Sequence, residues 1–256
     1  MSVLIEIEGL SKTFSGFKAL SDVGFAIPEG KITAVIGPNG AGKSTLFNLI
    51  TGKLVPTSGA IRLRGRDITT LPPEARVRSG FGRTFQRTSV FGEMSVRENL
   101  RTALLCQGSH VWSFWRAATA FFESDVQALA SRFELSDALD LQAKTMSHGD
   151  QKQLELAMAV AQTPKVLLLD EPLAGMSPVE TRTAVAAIVD EVRQRGITLL
   201  FTEHDIDVVF EIADVIVVLD KGRLIASGPA AQIRSDARVQ AVYLGQSDAL
   251  EAPELQ

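Results

Sequence analysis

Gly37-Pro38-Asn39-Gly40-Ala41-Gly42-Lys43-Ser44 decides the fold class of this chain. The run fits Gly-x-x-x-x-Gly-Lys-Ser, whose glycines let successive backbone N–H groups turn inward around phosphate oxygens. Its flanks are those the mechanism needs. The apolar strand Ile32–Ile36 comes before it, and Leu46, Phe47, Leu49 and Ile50 give the stretch after it a helical apolar face. A helix starting near Lys43 points the positive end of its dipole at the same anion. Lys43 is expected to reach the β- and γ-phosphates, Ser44 to offer its hydroxyl to Mg²⁺, and Thr45 to complete the nucleotide-binding run. A merely structural glycine-rich turn is the competing reading, and the strand and helix on either side count against it.

Working outward, the apolar strand Val166–Leu169 ends in Asp170-Glu171. Sheets of alternating strands and helices present ligands at the carboxyl edge of their strands. Asp170 can hold Mg²⁺ directly or through water, while Glu171, pointing differently, can polarise an attacking water. Alone, this pair reads as readily as a solvated loop or a helix cap. Ile197–Phe201 and Val215–Leu219 are further strands apolar enough to be buried on both faces. Between them and the acidic strand, Ser177-Pro178-Val179-Glu180 supplies an N-cap, an N1 proline and an N3 glutamate. Ala184, Val185, Ile188, Val189 and Val192 then share one helical face, and Gly196 is the stop.

The pattern is α/β with a mainly parallel sheet. The N-terminal strand, Phe25–Ile27 and Ala60–Leu63 read as a smaller antiparallel sheet, and residues 88–160 as an inserted helical subdomain. No internal repeat is present, so residues 1–246 are expected to form one nucleotide-binding domain, followed by a tail at 247–256.

A compact fold of 256 residues buries roughly 70–75% of its unfolded surface, enough for a core without disulfides or metals. The single cysteine, Cys106, excludes an internal disulfide and is expected to be a small buried apolar residue. A net charge of -4 argues against nucleic acid as the main partner. No run of about 18 apolar residues occurs and no signal peptide is visible, so membrane association is expected to run through a partner. His110 and His148 have no ligand-spaced partners, and no zinc site is expected.

Between the phosphate loop and the acidic strand stands Ser147-His148-Gly149-Asp150-Gln151. A Ser-x-Gly-x-Gln segment opening a helix just before the acidic strand resembles the signature of ABC-transporter ATPases, and the likeness runs from residue 3 to about 245. The resemblance implies a P-loop NTPase core of the ABC ATPase type and Mg²⁺-dependent ATP hydrolysis. It implies that Phe14 stacks on adenine, with Phe17 as competitor and core packing as the plain alternative. It makes Gln86, in Arg83-Thr84-Phe85-Gln86, the glutamine that contacts Mg²⁺ or the lytic water and senses the membrane partner. It makes His204, in Thr202-Glu203-His204-Asp205, the switch histidine near the γ-phosphate, and Ala174–Pro178 the loop touching the opposite subunit. Two subunits would pack head to tail, so that Ser147 and Gly149 of one reach the phosphate held by Lys43 of the other. The chain departs from the common pattern at His148, where a second glycine is usual, and at Asp150.

Phe91–Asn99, Glu171–Met176 and the ending Val242-Tyr243-Leu244-Gly245 are similar to the larger ATPase of branched-chain or hydrophobic amino-acid importers. Such a subunit works with a second ATPase, itself or a sister, with two membrane permeases and, indirectly, with a substrate-binding protein. It sits on the cytoplasmic face of a prokaryotic plasma membrane. Urea and lipopolysaccharide transport ATPases share much of the pattern. An aromatic stretch, Val111–Trp115 with Phe121 and Phe122, fits local packing of a helical hairpin or contact with a membrane subunit. A soluble ATPase switch would carry two such domains or a long coiled-coil insertion, and a GTPase an Asn-Lys-x-Asp motif. The chain has none of these.

Overall fold

The computed structural model describes residues 2–83, 90–106 and 122–241. Its strands are β1 (Val3–Phe14), β2 (Phe17–Pro28), β3 (Ile32–Ile36), β4 (Ser58–Leu63), β5 (Arg66–Asp67), β6 (Phe81–Arg83), β7 (Val166–Asp170), β8 (Thr198–Thr202), β9 (Val215–Asp220) and β10 (Arg223–Pro229). Its helices are α1 (Lys43–Ile50), α2 (Pro73–Arg78), α3 (Val96–Leu105), α4 (Glu123–Arg132), α5 (His148–Ala161), α6 (Pro178–Arg195), α7 (Ile206–Ile212) and α8 (Ala230–Arg234). They fall into two compact units, one of residues 1–79 with 198–256, the other of residues 80–197.

In the first unit β3 lies parallel to both β8 and β9, and β10 returns antiparallel along β9. Every residue of β3 and β8 is buried, as strands covered on both faces require. Of the polar exceptions, Thr198 uses its hydroxyl to accept the Gly30 N–H at 2.8 Å. The expected antiparallel sheet is present in the order β2-β1-β4-β5, its inner face carrying Ile5, Ile7, Leu20, Val23 and Ile61. Under the end of α1 lies an unexpected residue, Arg76 of α2, only 1% exposed. Its guanidinium donates to the carbonyls of Leu49 (2.7 Å), Ile50 (2.5 Å), Ile68 (2.7 Å), Thr69 (2.9 Å) and Leu71 (3.1 Å). Two of those carbonyls, Leu49 and Ile50, end α1, and the Leu49 carbonyl also accepts the Gly52 N–H at 3.2 Å, so a buried cation adds to the cap and meets the negative dipole end of the helix.

In the second unit β6 and β7 pair in parallel, Phe81 opposite Val166 and Arg83 opposite Leu168. Every residue of α5 from Lys152 to Ala161 is buried, which makes it the central helix of the unit. Its charged pair, Lys152 and Glu155, meets at 3.1 Å. The expected capping box opens α6, and Gly196 closes it at φ 65°. The buried face holds Ala184, Val185, Ile188 and Val192, but Val189 is only half-buried. Glu191 takes a place in that face instead, paired with Arg132 of α4 and with Arg195.

Two expectations need correction. The strand read at 197–201 runs from Thr198 to Thr202, because the Ile197 N–H turns back to the Val192 carbonyl (2.9 Å) at the end of α6. Cys106 is exposed rather than buried. The apolar face of α3 is Val96, Leu100, Ala103 and Leu104, and Cys106 follows the helix end off that face. Among the described residues no helix is long and apolar enough to cross a membrane.

Candidate functional site

The phosphate loop is backed by its own unit. Gly37 stands at φ 151°, and a Cβ there would overlap the Leu219 carbonyl of β9. At Gly42 (φ 102°) a Cβ would lie 2.7 Å from Leu20 Cδ2 and 2.9 Å from the Ala19 carbonyl of β2. Both positions need glycine because neighbouring strands crowd the loop. Gly40, at φ 78°, faces open space, so it leaves the loop's outer side clear for a ligand. Gly42 has no side chain with which to cap α1, so the N-cap itself puts no acceptor at the first turn, as suits anion binding. Lys43 is buried, its Nζ donating to the carbonyls of Gly37 (2.6 Å) and Pro38 (3.1 Å). Asn39, Gly40 and Ser44 are exposed, Pro38 and Thr45 half-buried, and Ala41 packs inward while its carbonyl accepts the Gly222 N–H at 3.0 Å.

Because β3 and β8 are parallel neighbours, the phosphate loop and the segment bearing His204 leave the same carboxyl edge. His204 is exposed there, its backbone N–H donating to Glu203 Oε2 at 3.2 Å. Phe14 and Phe17 pair across the β1–β2 hairpin end, 40% and 71% exposed, so neither is a core residue. Lys12 Nζ lies 5.1 Å from the Phe14 ring centroid, a cation–π distance.

The second unit holds the acids. Asp170 ends β7 with its side chain 4% exposed, and Arg83 Nη2 stands 3.4 Å from its Oδ2. Burial lowers the Arg83 pKa, and the neighbouring Asp170 charge opposes that shift. Glu171 takes a left-handed backbone conformation, φ 51°. The turn that follows is closed by the Ala174 N–H to the Glu171 carbonyl (3.3 Å) and the Met176 N–H to the Leu173 carbonyl (3.2 Å).

Ser147 is the N-cap of α5. Its hydroxyl accepts the Asp150 N–H at 3.1 Å and donates to Asp150 Oδ2 at 2.8 Å. The Gln151 side-chain amide donates to the Met146 carbonyl at 3.2 Å. Gly149 is buried, and a Cβ on it would overlap the Glu180 carboxylate. That carboxylate also accepts the Ser177 N–H at 2.6 Å, and bonding to Ser177, with the His148 charge adding to it, holds the Glu180 pKa below its ordinary value. His148 is exposed, and a Cβ on Gly175 would come within 3.2 Å of its ring. The signature segment thus meets residues 175–180 within one chain. The sequence showed the Ser177–Glu180 cap but not the second use of Glu180, nor the pairing of Arg83 with Asp170, which depends on strand register. Gln86 and its neighbours at 84–89, His110, the aromatic stretch at 111–121 and residues 242–256 lie outside the described residues.

The donor chemistry suits Mg²⁺ arriving with a nucleotide. Each in its own unit, Ser44 has an exposed hydroxyl and Asp170 a buried carboxylate, hard oxygens of the kind Mg²⁺ takes. Among the described residues no group of three or more His, Cys, Asp or Glu could hold an ion by itself. Phosphates and water would have to supply most of the ligands, as is usual for Mg²⁺.

A family model described as ABC transporter matches residues 20–174. The chain belongs to the ABC transporter family. With that membership come ATP binding and ATP hydrolysis. A second model, for the branched-chain amino acid ATP-binding cassette transporter, matches residues 223–249. The high-affinity branched-chain amino acid transport ATP-binding protein BraF of Pseudomonas aeruginosa is 37% identical over 254 residues, covering 95% of this ABC chain and 98% of BraF. The lipopolysaccharide export system ATP-binding protein LptB of Haemophilus influenzae is 32% identical over 246 residues, 96% of this chain and 98% of LptB. Among solved structures, the ADP conformation of an ATP-binding cassette of an ABC transporter superposes with a TM-score of 0.80 at 32% identity, covering 96% of this chain and all of that one. The ABC ATPase core read from the sequence, with its mainly parallel sheet, antiparallel sheet and helices, is the fold found.

Proposed function

We propose that this chain is the ATP-hydrolysing subunit of an importer of branched-chain or other hydrophobic amino acids. It would act at the cytoplasmic face of a prokaryotic plasma membrane through two permease subunits and, through them, a substrate-binding protein. The observation that carries this reading is the match at residues 223–249, because it concerns a branched-chain model and lies beyond the general ATPase match. The 32% identity to LptB keeps lipopolysaccharide export as the second reading.

In the proposed mechanism the N–H groups of Gly40, Gly42 and Lys43 surround the β- and γ-phosphates, and Lys43 leaves its loop carbonyls to meet them. Phe14 stacks on adenine. A bound Mg²⁺ would supply positive charge against the negative charge that builds on the phosphates. By family likeness Ser44, Asp170 and Gln86 would hold it. Glu171 takes a proton from water as the water oxygen attacks the γ-phosphorus and the bond to ADP breaks. His204 contacts the γ-phosphate and steadies the developing charge. Ser147, with His148, Gly149, Asp150 and Gln151, contributes to the site of a second, head-to-tail ATPase subunit.

The test has two parts. Purified chain should release phosphate from ATP only with a divalent cation. Cells relying on it should take up radiolabelled leucine, with uptake falling to background when the gene carries Glu171→Gln. Unchanged leucine uptake with defective lipopolysaccharide at the cell surface would favour the second reading.

A further inference from the structure

Arg83 closes β6, and the parallel register with β7 brings it beside the carboxyl end of that strand. Its guanidinium reaches Asp170 across 3.4 Å, with 12% of the Arg83 side chain and 4% of the Asp170 side chain exposed. A carboxylate so far removed from water needs a nearby cation or several donors to offset its lost hydration. We propose that Arg83 is a built-in counter-ion for Asp170, a positioning residue that aims this carboxylate before nucleotide arrives and yields when a divalent cation takes the carboxylate. The inference rests on Asp170 being a metal ligand.

Two cations on one carboxylate repel each other, strongly so where water is scarce. Arg83 therefore weakens the hold of Asp170 on a bare divalent ion. An ion that arrives with the phosphates brings its own compensating negative charge and can displace the guanidinium. The arrangement favours metal–nucleotide over metal alone.

Mn²⁺, followed by electron paramagnetic resonance, serves as the probe with the full chain, with and without ADP. Arg83→Gln should tighten Mn²⁺ binding, on the order of tenfold without ADP and less with it, the scale of outer-shell effects on metal affinity. Arg83→Lys, which keeps the charge, should stay near the unmodified chain. In an Asp170→Asn background, Arg83→Gln should change nothing. Unchanged or weaker Mn²⁺ binding in Arg83→Gln alone overturns the counter-ion role. If Asp170→Asn by itself leaves Mn²⁺ affinity unchanged, the underlying reading of Asp170 fails instead. Should Arg83→Gln be unfolded without metal, Mn²⁺ with ADP should restore the fold, since the ion takes the place of the lost charge; no restoration overturns the proposal.

Discussion

Glu171 follows a strand buried along its whole length, yet its own backbone inverts to φ 51°. For a residue with a side chain that conformation costs about 1–2 kcal/mol. It also breaks the alternation of the strand, so the carboxylates of Asp170 and Glu171 need not point to opposite faces. Strain held at such a place points to use rather than to packing. Two substitutions separate chemistry from strain. Glu171→Gln keeps shape and backbone, and should leave ATP binding nearly intact while turnover falls by about 10²–10⁴-fold. Glu171→Gly relieves the strain, and should lose turnover equally while melting no lower than the unmodified chain. Phosphate release and thermal melting report the two effects, and normal turnover in the Gln variant would remove Glu171 from the role of base. Other residues at this scale were only partly legible. In sequence Phe14 was the choice for adenine stacking by family likeness, with Phe17 a competitor because both flank the same turn. Both prove exposed, and among the described residues Phe14 has a cation, Lys12, over its ring.

At the scale of elements, legibility followed local chemistry. β3 and α1 stood out because an apolar run and an apolar helical face flank the phosphate loop, and α6 because its apolar period, capping box and glycine stop agree. Arg76 did not stand out, since arginine in Pro73-Glu74-Ala75-Arg76-Val77-Arg78 reads as a solvated helix face. What buries it is the distant end of α1, whose last carbonyls accept its guanidinium in addition to what the following turn supplies. Burial lowers its pKa to about 10, with Asp67 pulling the other way. Arg76→Met should take a donor from five carbonyls, of which Leu49 and Ile68 keep a backbone partner, and remove the charge at the helix end. The expected loss is about 3 kcal/mol, or roughly 5–10 °C in Tm. Arg76→Lys should fall between, because three ammonium donors cannot serve five carbonyls. A denaturant titration measures this directly. A Met variant as stable as the unmodified chain would mean that water reaches those carbonyls and that the clasp is dispensable.

At the scale of the whole molecule, the signature segment raises a question of completeness. In the single chain the Ser147 hydroxyl is engaged with Asp150, and the carboxylates of Asp150 and Glu180 lie near the start of α5. An incoming phosphate must compete with these internal acceptors. The sequence alone could not show this, since Glu180 stands 31 positions beyond Gly149 and meets it only through the fold. Family likeness implies that the phosphate comes from Lys43 of a second copy, and complementation between disabled chains can decide it. Lys43→Ala should lose phosphate binding but keep its signature segment. Ser147→Arg should bind ATP and fail to hydrolyse it, because the arginine side chain blocks the approach and breaks the cap. Each variant alone should therefore be inactive. Mixed in equal amounts, about half of the dimers contain one of each, and each mixed dimer has one loop and one signature segment still intact and facing each other. Phosphate release should return to about a quarter of the unmodified rate if the two sites act independently. If the loop and signature segment of one chain served the same nucleotide, every site in the mixture would remain broken. A mixture as inactive as its components would thus refute completion in trans between identical chains.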